Sequence, residues 1–210
     1  MRSALPHGAP FVGALSLLLC SVVAPGRAAA QADTGAAAPI QRLYAALGQT
    51  EQHGSEPFAR RSQELAPAVD QALSIPTILQ SSVGLRYRAL PADQKQQLVQ
   101  AFRDFTIARY VSNFSGNGDT FTVVPGTRPS PYGSDRIVQT RLSSAGGAPT
   151  EVDYVMRQFP QGWQAVDVLL DGHISQVAVQ RSDFGSTLSS GNATPLIESL
   201  KKKTQSFSGT

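Results

Sequence analysis

Apolar residues in this chain recur with a helical period as far as Asn113 and with a strand period from Phe121 onward. The change falls on one run of turn chemistry, Ser115-Gly116-Asn117-Gly118-Asp119. A helix brings residues three and four apart onto one face, whereas a strand alternates every second residue between two faces. Glycine, asparagine and aspartate tolerate the backbone angles that end either element. Helical patterning returns near the C-terminus. The order is therefore helices, an antiparallel meander, then helices again. Such an order predicts an α+β domain in which several helices cover one face of a curved sheet of about four strands, a cone-like shape.

The helical half divides readily. Ile40, Leu43, Tyr44 and Leu47 form one stripe from Pro39 onward. A second helix is expected from Pro57 to about Leu73, with Phe58, Leu65, Val69 and Leu73 inward, because proline suits the first helical turn. Ile75-Pro76 interrupts it, and a short helix with Ile78, Leu79 and Val83 stops at Gly84. The longest helix opens at Leu90-Pro91-Ala92-Asp93 and runs to about Asn113, with Leu98, Phe102, Phe105 and Tyr110 on its apolar side.

In the strand half, Phe121, Val123 and Val124 suggest a first strand. Residues 125–135 hold three prolines and two glycines and read as loop. Asp135–Leu142 and Glu151–Phe159 read as strands. Pro160-Gln161-Gly162 makes a hairpin turn to a fourth strand, Trp163–Leu170, and Asp171-Gly172 ends it. Helices are then expected from about Phe184 to Ser190 and from Thr194, as cap, to Thr204, with Pro195 in the first turn.

The start of the chain has the character of an export signal. Arg2 precedes an apolar run from Phe11 to Ala24, Pro25-Gly26 breaks it, and Ala28-Ala29-Ala30 offers small residues for cleavage near Ala30. The run is about 14 residues, short of the roughly 20 that a spanning helix needs. Cys20 lies within it, preceded by Leu19 where a lipid-attachment motif wants a small residue. Residues 1–30 are expected to be removed, 31–38 to be a disordered new N-terminus, 39–204 to form the domain and 205–210 to be a disordered tail. The expected location is the periplasm. The single cysteine would leave with the signal, and with it any disulfide, thiol nucleophile or thiolate metal site.

Charge excludes little more than nucleic acid. The whole chain has pI about 9.2. Removing residues 1–30 takes away Arg2 and Arg27 but no acid, so the 18 basic residues fall to 16 against 15 acidic ones, a net of +1. Lys201-Lys202-Lys203 is a basic run at a helix C-terminus, where cations are favoured. The absence of a coiled-coil heptad makes a monomer the expectation. His53 and His173 are far apart, and no spacing suited to metal, phosphate or a nucleophile elbow is present, so no metal or cofactor is expected. Asn192-Ala193-Thr194 matches a glycosylation sequon but reads as a helix start.

Three aspartates, Asp153, Asp167 and Asp171, are candidates for acid–base chemistry beside Tyr154. Alternation opposes this, because Asp153 and Tyr154 face opposite sides, and Asp167 faces away from Val166 and Val168. Without them the notable feature is apolar surface. Val166, Val168 and Leu170 share one strand face, which Val152, Tyr154 and Met156 extend across the hairpin. Leu79, Leu98, Phe102, Phe105 and Tyr110 come from the helices. Taken alone, these residues read as core.

The runs ELAPAVDQALSIPTILQSSVG (64–84) and LPADQKQQLVQAFRDFTIARYVSNFSGNGDTFTV (90–123) resemble the lipid-carrier family typified by MlaC, also described as toluene-tolerance auxiliary proteins. Four blocks carry the likeness: Pro67 to Val83, Tyr110 with Phe114, Gly162-Trp163 with Asp167-Val168, and Phe184 with Leu188. Together they span about residues 38–203. The wording of SIPTILQSSVG and YVSNF looks closest to the hopanoid-associated HpnM subgroup. Gly172-His173-Ile174-Ser175 departs from the Gly-Val-Ser of the family. The resemblance implies a soluble, non-enzymatic periplasmic carrier of a phospholipid or hopanoid. Its implied partners are an inner-membrane transporter of ABC or resistance-nodulation type and an outer-membrane lipoprotein complex. It also implies an apolar pocket lined by Leu79, Val83, Leu98, Phe102, Phe105, Tyr110, Val152, Tyr154, Met156, Val166, Val168 and Leu170. An enzyme on a similar cone-like fold and a non-carrying accessory subunit of a transporter are the alternatives.

Overall fold

The structure, a computed structural model, describes residues 25–114, 118–144, 147–188 and 191–209, with side chains described from residue 35 onward. The expected export signal lies outside these residues except for 25–30. Helix α1 (Pro25–Gln52) buries the stripe of Ile40, Leu43, Tyr44 and Leu47. It starts upstream of Pro39, so residues 31–38 are helical rather than disordered, and Ala36 and Ala37 are buried. Small residues permit this. A Cβ at Gly35 would lie only 3.4 Å from Trp163 Nε1, so α1 passes close against the sheet at this point.

Helix α2 (Phe58–Ala72) follows Pro57 and buries Leu65, Val69 and Ala72. Helix α3 (Ile75–Val83) stops at Gly84, whose φ of +70° suits a residue without Cβ. A short 3-10 turn, Gly84–Ala89, leads to helix α4 (Ala92–Asn113), which buries Leu98, Phe102 and Phe105.

The sheet has seven strands among the described residues, not four. They are β1 (Thr120–Val123), β2 (Arg128–Pro129), β3 (Arg136–Val138), β4 (Thr140–Ser143), β5 (Thr150–Phe159), β6 (Gly162–Leu170) and β7 (Ile174–Ser175). The expected strand Asp135–Leu142 is broken at Gln139, whose carbonyl accepts from Val124 N–H at 2.9 Å. Its two halves pair with successive parts of β5, and β1 and β2 flank them. Strand β2 thus lies inside the segment expected to be loop. The other edge of β5 carries β6 and then β7, all antiparallel, with Phe159 opposite Gly162 across the expected tight turn.

Helix α5 (Gln176–Thr187) begins eight residues before the expected Phe184. Helix α6 (Thr194–Ser208) has Ala193, not Thr194, at its cap position, and the Asn192 side chain accepts from Thr194 N–H at 3.0 Å. It continues through the segment expected to be a disordered tail, because Phe207 packs on Phe105 with ring centres 5.9 Å apart. The helices pack against the sheet and one another, α4 against α6 and α2, and α3 against α5. No described helix is long and apolar enough to cross a membrane.

Candidate functional site

Helix α4 presents Phe102, Phe105, Thr106, Arg109, Tyr110 and Asn113 at i, i+3, i+4, i+7, i+8 and i+11, the spacing of one helical face. This face does not close onto the sheet. Between it and the strands lies a cavity of about 360 Å³. Strands β5 and β6 supply Val152, Tyr154, Val168 and Leu170 to the opposite wall, while Ile75 and Ile78 of α3 and Val177 and Gln180 of α5 close the sides. The volume falls within the roughly 300–1,000 Å³ of ligand pockets. Protein interiors otherwise pack with few voids larger than a water molecule.

The cavity brings together Phe102, Phe105, Tyr110, Val152, Tyr154, Val168 and Leu170 from the residues singled out in the sequence. It does not include Leu79, Val83, Leu98, Met156 or Val166. The first four of these are buried in the packed core, Leu79, Leu98 and Met156 at zero exposure. Val166 is displaced by a bulge. Val155 pairs with Asp167 and the next residue, Met156, with Ala165, so Val166 is left over and Ala165 takes the inward place. Sequence reasoning missed Ile75, Ile78, Thr106, Arg109, Asn113 and Val177 as wall residues. The polar ones were findable, because they repeat at helical spacing from Phe102, but selecting apolar residues alone passes over them.

Tyr110 and Tyr154 line the cavity, and Tyr44 lies behind Tyr154. Tyr44 packs edge-on against Tyr154 with ring centres 6.0 Å apart. Tyr44 in turn meets Thr140 Oγ1 at 2.5 Å, and Thr140 donates to the Val152 carbonyl. Burial pushes Tyr44 up to about 12 and holds Tyr110 and Tyr154 above the usual phenol range, Tyr154 well above it. All three are uncharged at neutral pH, so the two that line the wall make it polar there without being ionic.

The acidic candidates are engaged elsewhere. Asp167 lies at the cavity wall rather than turned away from it, but its carboxylate caps α5. It accepts from Ser175 Oγ at 2.5 Å, Val177 N–H at 3.1 Å and Val168 N–H at 2.8 Å. Asp153 is 1% exposed, opposite Leu169 in the ladder, and meets Arg128 at 2.7 Å. Asp171 holds the turn after β6 with φ +51°, and its carbonyl meets His173 Nδ1 at 2.6 Å. His53 meets Glu64 at 3.2 Å on the surface. Among the described residues no cluster of three or more histidines, cysteines or carboxylates could hold a metal ion.

The family model described as MlaC protein matches residues 38–202. No curated protein matches the chain. Among solved structures, the chain resembles a phospholipid-binding protein from Ralstonia solanacearum in complex with a phospholipid. The identity is 17% and the TM-score 0.69, covering 82% of this chain and 98% of that one.

Proposed function

The chain belongs to the MlaC protein family, and from that premise we propose that it is a periplasmic carrier that holds a lipid in the cavity between α4 and the sheet. The observation that carries the reading is the cavity itself, about 360 Å³ with Phe102, Phe105, Val168 and Leu170 in its walls. Each buried methylene is worth about 0.8 kcal/mol, so a 16-carbon tail gains on the order of 12 kcal/mol before the costs of binding. A lipid so held does not leave into water on a useful timescale. Handover therefore requires partners that offer a continuous apolar path, an inner-membrane transporter of ABC or resistance-nodulation type on one side and an outer-membrane lipoprotein complex on the other. The cargo is a phospholipid or a hopanoid. The solved phospholipid complex of similar fold supports the first.

The reading assigns no reaction to the cavity. Of the acid–base candidates named from the sequence, the one on the cavity wall, Asp167, already has three hydrogen-bond partners, Val168, Ser175 and Val177. The test is native mass spectrometry with lipid extraction on protein purified without detergent. A lipid near unit occupancy is expected, lost on Phe102→Asp or Val168→Asp. Recovery of a folded, lipid-free protein from lipid-rich cells would overturn the proposal and favour an accessory subunit that carries nothing.

A further inference from the structure

Arg109 is the only basic side chain on the cavity wall among the described residues. It stands on the same face of α4 as Phe102 and Phe105, two turns and one turn before it, so the helix places a guanidinium in line with the residues that form the apolar wall. It is half-buried, and among the described residues no carboxylate lies within ion-pair distance of it. It donates to a neutral group, from one terminal nitrogen to Gln176 Oε1 at 3.2 Å. The other arginines that meet buried carboxylates here do so on the far side of the sheet ladder, Arg128 with Asp153 and Arg157 with Asp135. The two carboxylates on the cavity wall are Asp167, committed to the start of α5, and Asp119.

A guanidinium partly withdrawn from water gains most from an anion that accepts two parallel hydrogen bonds, and phosphate has that geometry. Gln176 fixes one nitrogen and leaves the others free to donate. We infer that Arg109 is the specificity-determining residue of the cavity and selects a lipid that carries a phosphate at its head, with the acyl chains running along α4 toward Phe105 and Phe102. The inference rests on the carrier reading and deepens it, because a neutral polycyclic lipid gives Arg109 no anionic partner.

The experiment loads the full chain, stripped of endogenous lipid, with two probes that share the same pair of palmitoyl chains: dipalmitoyl phosphatidic acid and dipalmitoylglycerol. Occupancy is read by native mass spectrometry in competition, for the wild type, Arg109→Gln and Arg109→Lys. A charge-assisted hydrogen bond is stronger than one to a neutral group, so a preference for phosphatidic acid of about tenfold or more is expected in the wild type. It should fall close to one in Arg109→Gln and be partly kept in Arg109→Lys. A near-UV circular dichroism spectrum of Arg109→Gln that matches the wild type serves as the control for folding. A preference that survives Arg109→Gln, or none in the wild type, overturns the inference and leaves the carrier standing. Inorganic phosphate that protects the wild type from thermal unfolding but not Arg109→Gln, without any head-group preference, overturns it in favour of a free-anion site. Failure of the wild type to take up either lipid overturns the carrier reading, and this inference with it.

Discussion

At the scale of single residues, the buried polar groups are where a small change is felt most. Asp135 is 7% exposed and accepts both Arg157 Nε and a terminal nitrogen, at 3.0 and 2.7 Å. Removing one partner of a buried pair leaves the other charge desolvated, which costs about 3–5 kcal/mol when both are buried. Arg157 is half-exposed, so Arg157→Ala is expected to cost less, about 1–3 kcal/mol, seen as a lower urea midpoint with an unchanged slope. Tyr44 gives a pH test. Its pKa is raised by burial to about 12 from an ordinary 10. The neutral form is favoured by folding, so its contribution is complete below pH 10 and is lost as pH rises from 10 toward 12. Two pKa units correspond to about 2.7 kcal/mol. Between pH 9 and pH 11 urea unfolding should show about half of that loss from Tyr44, and Tyr44→Phe should reduce the difference without abolishing it, because Tyr110 and Tyr154 are raised as well. Equal slopes for both proteins would show that other groups cause it. The same scale explains what could be read in advance. Phe102 was legible as inward-facing from its helical spacing, and Tyr154 and Val168 from strand alternation. Val166 was not, because a bulge leaves no mark in the apolar pattern and exchanges its place with that of Ala165.

At the scale of elements, most helices followed from local signals, and α5 shows where local signals end. Its first turn, Gln176-Val177-Ala178-Val179, has no strong start in sequence. The start is made by tertiary contact, with Ser175 Oγ accepting from Ala178 N–H at 3.0 Å while donating to Asp167, which also accepts from Val177 N–H. Asp167 is on β6 and close to Ser175 only because the turn at Asp171-Gly172 doubles the chain back onto β7. Cap residues are worth about 0.5–2 kcal/mol, so Ser175→Ala should destabilise by about 1 kcal/mol. Asp167→Ala, which orphans Val177 N–H and Ser175 together, should cost more. Hydrogen exchange should then quicken at residues 177–179 before the rest of α5. Unchanged protection there would show that packing, not capping, holds the helix start. The split of the expected strand at Gln139 and the extension of α1 and α6 are of the same kind. Each depends on a partner distant in sequence, Val124 for the first, Trp163 and Phe105 for the others.

At the scale of the whole molecule, the α+β order was legible because it needs only the change of period at residues 115–119. The cavity was not, because a row of apolar side chains looks the same whether a facing layer fills the space or leaves it open. That open space has a thermodynamic consequence. The walls around 360 Å³ lack partner atoms when the cavity is vacant, and contacts forgone in this way lower stability. A ligand that binds only the folded state raises it by about 2.7 kcal/mol at a hundred times its Kd. For a domain of this size that corresponds to roughly 5–10 °C in Tm. Stripping the lipid should lower Tm by that amount, and reloading should restore it. Val168→Trp separates this from simple damage. Val168 is half-buried on the cavity wall opposite Tyr154 in the ladder, so a larger side chain there extends into open space rather than into packed core. The variant should lose at least half its bound lipid, yet without lipid it should melt no lower than the stripped wild type, because the indole replaces contacts that the lipid otherwise makes. If the stripped variant melts well below the stripped wild type, the space is already committed to the fold and is not kept for a ligand.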